Sequence, residues 1–269
     1  MIQVGIIGCG NIGSALARAI QKRFSKFARL AYVADVNPKQ IQKLHKKIKS
    51  SRFRAVSINQ LVKKSDFIIE TASVGASREV IPKVLKAGKD ILVLSVGGIL
   101  HISNLGRLVA NSRGHIYIPS GGIGGIDAVL AARTGKIHSV RITTTKPLRS
   151  LQSAPYFLRN GFRLKKIKKP TLIFQGNALQ AIRNFPENVN VAATLSLAGI
   201  GPLKTHVQIF ASPTSRYNKH EIEVEGSFGR MRTQVTNLPS RENPKTSALA
   251  IGSAIATLEK IFKTVKIGT

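Results

Sequence analysis

The chain has 269 residues, of which 43% are hydrophobic, and it contains one cysteine and no tryptophan. A single cysteine excludes an internal disulfide and a multi-cysteine metal site. No apolar run reaches the roughly 18 residues that a membrane span requires, and the chain starts directly in a strand pattern without a secretory leader. Length and composition therefore predict a soluble, cytoplasmic protein with one large domain or two modest ones.

The formal net charge is +30, from 42 Lys+Arg against 12 Asp+Glu. Such a charge attracts nucleic acid, acidic lipid and anionic metabolites. The basic residues are mostly dispersed, with two denser stretches at Lys39–Arg54 and Arg163–Lys169. Neither stretch carries the interleaved aromatic residues that stack bases. The charge is interpreted mainly as a solvated surface, and non-specific nucleic-acid binding through charge alone is the alternative.

A glycine-rich turn follows the first strand pattern, in which Ile2, Val4 and Ile6 alternate. Gly8, Gly10 and Gly13 form a G-x-G-x-x-G motif that runs directly into an apolar helical pattern beginning at Ser14. In this motif the glycines permit a tight turn, a close approach to a pyrophosphate and close packing of helix on strand. The helix N-terminus, with Asn11 and Ile12 between the glycines, provides backbone amides and the positive dipole end for an anion.

An acidic residue follows the second predicted strand, Leu30–Ala34. Asp35 closes this strand roughly 20 residues beyond the glycine motif, the spacing expected for a carboxylate that binds the adenosine ribose. A carboxylate there accepts hydrogen bonds from the ribose hydroxyls and repels a 2′-phosphate, which favours NAD over NADP. Lys39 could soften that preference. The alternative is an aspartate that caps the turn before Asn37–Pro38.

Strands and helices alternate through the first 120 residues. This alternation predicts a Rossmann-type, doubly wound parallel sheet over residues 1–118. Ala72 and Ser73 follow the fourth strand, where the carboxyl end of a parallel strand faces a cofactor. The further strands are predicted at Val56–Ile58, Asp66–Glu70, Asp90–Ser95 and His115–Pro119, and the helices around Ile41–Ile48 and at Gln60–Lys64, Ser77–Ala87 and Asn104–Asn111.

The pattern changes at Ser120–Gly125, which contains four glycines and is interpreted as a hinge that also lets a nicotinamide ring approach. Beyond it the chain predicts a second, smaller α/β domain over residues 119–242, built on an open mixed sheet. Residues 243–269 are predicted as a helix that returns to the first domain, and the exposed sheet as a homodimer surface. The predicted elements are strands Val140–Thr145, Thr171–Gly176, Thr205–Ala211 and His220–Glu225, with helices Ile126–Ala132, Asn190–Leu197 and Lys245–Lys263.

Five separate stretches carry a family resemblance. They are Gly8–Gly13, Pro119–Asp127, Phe185–Leu195, Asn218–Ile222 and Glu242–Ser247, and in this order they resemble the L-aspartate dehydrogenases of archaea and bacteria. Members of that family interconvert L-aspartate with oxaloacetate and ammonia, or release iminoaspartate for NAD synthesis. The resemblance implies a nicotinamide cofactor, NAD or NADP, and a small dicarboxylic substrate.

The resemblance also implies roles for individual residues. The family's catalytic histidine precedes a Glu-Ile pair on a strand, which falls on His220. Its cofactor-contacting asparagine falls on Asn190, and its small cofactor-contacting residue falls on Gly122, where the family has alanine. An imidazole also suits acid–base catalysis because its unperturbed pKa is about 6.5. Lys146 and Lys245 are weaker candidates for holding the substrate carboxylates.

Two other functions are compatible with these patterns. One is a related two-domain oxidoreductase, similar to homoserine dehydrogenase or dihydrodipicolinate reductase. The other is a dinucleotide-binding protein with nucleic-acid affinity, suggested by the charge. The remaining histidines show no metal-ligand spacing, and no metal site is predicted.

Overall fold

The computed structural model describes residues 1–48, 53–160, 164, 167–186, 189–238, 240 and 246–268. The chain divides into two compact units. Unit 1 comprises Met1–Pro119 with Ala254–Lys266, and unit 2 comprises Ser120–Ser253 with the last residues of the chain. Unit 2 is thus about as large as unit 1, and not smaller as the sequence suggested. The expected boundary at 242–243 lies outside the described residues.

Unit 1 contains one six-stranded sheet. Its strands are β1 (Ile2–Ile7), β2 (Ala28–Ala34), β3 (Arg54–Ala55), β4 (Phe67–Glu70), β5 (Asp90–Val93) and β6 (Ile116–Tyr117). Every pairing is parallel, in the order β3-β2-β1-β4-β5-β6. This is the predicted doubly wound sheet, and its strand order reverses between β1 and β4, where ligands bind in such folds.

The helices of unit 1 follow the strands in alternation. They are α1 (Asn11–Arg23), α2 (Pro38–Lys47), α3 (Ile58–Lys64), α4 (Val74–Lys86), a 3-10 helix at Val96–His101 and α5 (Leu105–Ala110). The strand predicted at Val56–Ile58 is wrong, because Ile58 is the first residue of α3. Ser57 Oγ accepts from Gln60 N at 3.3 Å, and Gln60 Oε1 accepts from Ser57 N at 3.3 Å. This capping box draws Ile58 into the helix.

Unit 2 contains a five-stranded mixed sheet, as predicted. Its strands are β7 (Ile137–Pro147), β8 (Thr171–Asn177), β9 (Thr205–Ser212), β10 (Asn218–Gly226) and β11 (Gly229–Asn237), in the order β11-β10-β7-β9-β8. Among these described strands, β7 and β9 pair in parallel and the other neighbours pair antiparallel. The edge strand β11 was not predicted, because its partly buried positions include only two apolar residues, Met231 and Val235, and the alternation is therefore weak.

The two faces of this second sheet differ in character. Alternate side chains of β7 and β10, such as Ile142 and Ile222, are fully buried. The helices of unit 2 are α6 (Ile126–Ala132), α7 (Leu148–Leu151), α8 (Pro155–Asn160), α9 (Ala178–Asn184) and α10 (Asn190–Ala198). Both α9 and α10 contact β9. The opposite face carries ion pairs, including Arg232 with Glu221 at 2.8 Å.

The last helix is α11 (Ala248–Phe262). Its residues up to Ser253 belong to unit 2, and those from Ala254 onward belong to unit 1. Ala254 and Leu258 are fully buried in the apolar core of unit 1. The ring of Phe262 makes edge contacts with Phe24 and Phe67, at centroid distances of 5.6 and 5.9 Å. No helix within the described ranges is long and apolar enough to cross a membrane.

Candidate active site

The three glycines of the turn after β1 have different surroundings. Gly8 has φ +91°, and a Cβ on it would lie 2.7 Å from the backbone nitrogen of Ala72. A Cβ on Gly13 would collide with the carbonyl oxygen of Gly8 and lie 2.8 Å from Thr71 Oγ1. At Gly10 a Cβ would meet nothing within 4 Å. The turn is therefore packed tightly on one side and open at Gly10, which fits the close approach of a pyrophosphate.

Asp35 joins this turn to the end of β2. Its Oδ2 accepts from Cys9 N at 2.6 Å, and its Oδ1 accepts from Asn37 N at 2.8 Å. The ribose-binding and turn-capping interpretations of Asp35 are therefore compatible, since each oxygen keeps a lone pair for a further donor. Burial, and secondarily the charge of Asp35, raises the pKa of the Cys9 thiol to about 12. That thiol stays protonated and serves as a packing group.

The N-terminus of α1 completes the cofactor-binding features of unit 1. Gly10 is the N-cap residue of α1, and no side-chain hydrogen bond caps this end of the helix. The first turn, which contains Asn11 and Ile12, carries no acidic residue. Thirteen residues of aligned peptide dipoles place partial positive charge at this end. An open glycine turn, a helix N-terminus and a carboxylate at the end of β2 together fit a dinucleotide.

Glu70, the last residue of β4, is fully buried and turns inward. Its Oε1 accepts from Ala72 N at 2.8 Å and from Ser95 Oγ at 3.0 Å, and its Oε2 accepts from Ser95 N at 3.1 Å. Burial raises the pKa of this carboxyl to about 7, although these hydrogen bonds oppose the rise. Ser73 Oγ accepts from Ala76 N at 3.2 Å and caps α4. Glu70 thus organises the segment in which Ala72 and Ser73 were predicted as cofactor contacts.

In unit 2, His220 lies on the buried face of β10 and is 5% exposed. It pairs in register with Thr144 of β7, whose Oγ1 is 2.9 Å from His220 Nδ1. This contact orients the ring whichever atom donates. Burial, followed by the positive charge of Lys146, lowers the pKa of His220 to about 3. The ring is therefore neutral at physiological pH, and its pKa lies well below the value of about 6.5 for an unperturbed imidazole.

Lys146 lies two residues beyond Thr144 on β7, on the same face, and is 3% exposed. Burial lowers the pKa of its ammonium group to about 8, so that it still carries a charge at neutral pH. Within the described part of the chain it forms no ion pair. The sequence suggested Lys146 only weakly as a carboxylate-binding residue, because nothing local showed that it would be buried.

Two buried asparagines lie opposite each other at this end of the sheet. Asn218 of β10 and Asn237 of β11 are paired in register and are 2% and 3% exposed. Neither Oδ1 atom has a hydrogen-bond partner among the described residues. Asn237 Nδ2 donates to Gly122 O at 2.7 Å. Sequence reasoning missed both asparagines, although Asn218 precedes His220 by two positions and so shares its face.

Of the other predicted cofactor contacts of unit 2, Gly122 lies beside Asn237. A Cβ on Gly122 would be 3.1 Å from Ser247 Oγ and 3.3 Å from Asn237 Nδ2. The backbone at Gly122 is therefore closely surrounded by the side chains of Ser247 and Asn237. Asn190 is the first residue of α10, and Val191 Cγ1 lies 3.6 Å from a Cβ built on Gly121. Glu187, Asn188, Glu242 and Lys245 lie outside the described residues.

The described residues contain no cluster of three His, Cys, Asp or Glu side chains that could hold a metal ion. What unit 2 brings together is a neutral imidazole, a buried ammonium group and unpaired amide oxygens. These groups can accept a proton, bind an anion and accept hydrogen bonds from an amine. That set suits acid–base chemistry on a charged, nitrogen-bearing metabolite.

The Rossmann-type sheet with its glycine turn, joined to a second unit with buried polar groups, defines a two-unit protein of the nicotinamide-dinucleotide-binding class. A family model for the homoserine dehydrogenase NAD binding domain matches residues 8–119, and one for the aspartate dehydrogenase C-terminal domain matches residues 127–261. The chain belongs to the aspartate dehydrogenase family, which confirms the resemblance seen in its sequence.

Individual relatives agree with this assignment. The chain is 44% identical to the L-aspartate dehydrogenase of Methanosarcina barkeri and 38% identical to that of Methanocaldococcus jannaschii, with 100% of each chain covered. The crystal structure of aspartate dehydrogenase from Thermotoga maritima matches 100% of both chains with a TM-score of 0.75 at 24% identity. That structural match shows that the fold is shared.

Proposed function

We propose that this protein is an NAD-dependent L-aspartate dehydrogenase. It oxidises L-aspartate to iminoaspartate, which water converts to oxaloacetate and ammonia, and it catalyses the reverse reaction. The observation that carries the proposal is the buried His220–Thr144 pair with Lys146, within the stretch matched by the aspartate dehydrogenase C-terminal model. Full-length identity of 38% to 44% to curated L-aspartate dehydrogenases supports the substrate.

Unit 1 would hold the cofactor. The turn at Gly8–Gly13 and the amides at the start of α1 bind the pyrophosphate, and Asp35 accepts from the adenosine ribose. The negative charge of Asp35 favours the 2′-hydroxyl of NAD over the 2′-phosphate of NADP. When bound, the nicotinamide ring exchanges a hydride with Cα of the substrate. Ala72, Ser73, Gly122 and Asn190 are proposed as further cofactor contacts.

Unit 2 would bind and activate the substrate. The neutral ring of His220 accepts a proton from the water that attacks the imine carbon, and returns it to the departing amine. Thr144 holds the ring in place through Nδ1, so that Nε2 is the nitrogen left for proton transfer. In the direction of oxidation the same nitrogen takes the proton that the substrate amine releases.

The test is NADH oxidation with oxaloacetate and ammonium, alongside NAD reduction with L-aspartate. We expect His220→Ala to lose at least about 100-fold in kcat, the scale of general acid–base catalysis, while NADH binding is retained. His206→Ala is the matched control, because His206 lies exposed on β9, another strand of the same sheet. Absence of turnover with either nicotinamide, in a folded protein that binds NADH, would rule out the L-aspartate reaction.

We further propose that the chain forms a homodimer through the outer face of the unit 2 sheet. Support comes from the charged ladder on that face, where Arg141 and Glu223 lie 3.5 Å apart and Glu221 is only 19% exposed. Sedimentation equilibrium should give twice the chain mass of 29.1 kDa. Thr143→Arg, in the middle of this face, should shift the protein toward the monomer. A wild-type monomer would contradict the proposal.

A further inference from the structure

The inner face of the unit 2 sheet changes from apolar to polar along its strands. On β7 the buried side chains run from Val140 and Ile142 to Thr144 and Lys146. On β10 the corresponding run, in the antiparallel direction, goes from Val224 and Ile222 to His220 and Asn218. The polar residues of both strands therefore gather at the same end of one buried face.

Lys146 is the charged member of this polar end. On its other side it pairs in register with Ala211 of β9, which offers no acceptor on its side chain. The acidic residues of β10 alternate to the outer face, where Glu221 and Glu223 pair with arginines. No carboxylate of the described residues therefore neutralises Lys146.

An ammonium group buried without a counter-ion is energetically unfavourable, and an apolar side chain of similar size would stabilise the fold. A buried charge of this kind suits a ligand that supplies the opposite charge. Asn218 Oδ1, buried and without a hydrogen-bond partner in the described part of the chain, is an acceptor at the same end of the face. A cation, a hydrogen-bond acceptor and an imidazole together complement a molecule that carries both carboxylate and amino groups.

We propose that Lys146 binds a carboxylate of the substrate and so makes unit 2 selective for amino dicarboxylates. The proposal rests on the proposed function and names the residue that recognises its substrate class. It has a consequence for His220. Burial lowers the pKa of the imidazole and the charge of Lys146 lowers it further, so a carboxylate bound to the lysine would offset the second of these two effects.

The test compares Lys146→Gln and Lys146→Met with wild type. Lys219→Gln is the matched control, since it removes the same charge on neighbouring strand β10, where Lys219 is 43% exposed and faces Glu221 at 3.9 Å. We measure kcat and KM for L-aspartate, KM for NAD, and binding of succinate, a dicarboxylate without a reactive amine, by calorimetry with and without NAD. The unfolding temperature of each unliganded variant is also recorded.

For both Lys146 variants we expect KM for L-aspartate to rise roughly 10- to 100-fold, as loss of a hydrogen bond to a charged group predicts, with KM for NAD unchanged. Succinate affinity should fall by a similar factor, and Lys219→Gln should stay within about twofold of wild type. Lys146→Met should unfold at a higher temperature than wild type, because it removes a buried charge. Lys146→Arg should recover part of the succinate affinity.

Succinate binding that is absent in wild type, or unchanged in Lys146→Gln, would overturn the proposal. So would variants of Lys146 that fail to fold while Lys219→Gln folds, because the lysine would then be structural. The proposed function is judged separately. If wild type binds succinate only when Lys146 is present, yet does not turn over L-aspartate, the dehydrogenase assignment fails and the carboxylate site stands. If Lys146→Gln turns over L-aspartate normally, the carboxylate site fails and the dehydrogenase assignment stands.

Discussion

Alanine substitutions at two glycines of the β1–α1 turn should separate cofactor binding from packing. In Gly13→Ala the new methyl group would collide with the Gly8 carbonyl and lie 2.8 Å from Thr71 Oγ1. Overpacking of this kind costs about 1–3 kcal/mol, which corresponds to a fall in unfolding temperature of roughly 2–12 °C for a domain of this size. In Gly10→Ala the methyl group meets nothing within 4 Å.

Gly10 also has an ordinary φ of −66°, which alanine adopts without strain. Its replacement should therefore lower the free energy of unfolding by no more than about 1 kcal/mol, the effect of a weaker N-cap. The methyl group would nevertheless occupy the space that a pyrophosphate must enter. We expect Gly10→Ala to keep its fold and to bind NADH at least about tenfold more weakly, as loss of one to two hydrogen bonds to a charged group predicts.

The assay is thermal unfolding with and without NADH, combined with a fluorescence titration of NADH. Gly13→Ala should show both a lower unfolding temperature and weaker binding, whereas Gly10→Ala should show weaker binding alone. Wild-type NADH affinity in Gly10→Ala would refute the placement of the pyrophosphate at this turn. A wild-type unfolding temperature in Gly13→Ala would refute the close packing of α1 on β1.

Three further predictions concern buried polar groups. Burial raises the pKa of Glu70 from 4.5 to about 7. Between these two pH values the folded protein keeps the proton on Glu70, whereas the unfolded chain has lost it. The free energy of unfolding should therefore fall as pH rises from about 4.5 to 7. Denaturant titrations across pH should show this slope in wild type and a flatter profile in Glu70→Gln; equal slopes would contradict it. Thr144→Val removes the hydroxyl that orients His220. It should lower kcat roughly 10- to 100-fold and leave KM for NAD unchanged. An unchanged kcat would show that other contacts hold the ring. Asn237→Ala removes the donor to Gly122 and should lower the free energy of unfolding by about 1–3 kcal/mol, measured by denaturant titration; no change would indicate that water replaces the amide.

Patterns confined to neighbouring residues were predictable from the sequence. The glycine spacing, the acidic residue after the second strand and the alternation of elements predicted the parallel sheet of unit 1, because each depends on local backbone geometry. The alternating strands of unit 2 likewise predicted a mixed sheet, although the polar edge strand β11 was missed. Where two local signals competed, as at Ser57 and Ile58, the helix cap prevailed over the short apolar run.

The motifs of the sequence by themselves determined the family, because they recur in order along the whole chain. They also singled out His220 as the histidine to examine. Tertiary structure alone decided the surroundings of that residue: its pairing with Thr144, the burial of Lys146 on the same face, and the opposed asparagines on β10 and β11. Register and burial arise from residues that are distant along the chain, and it is burial, together with the charge of Lys146, that sets the pKa of His220.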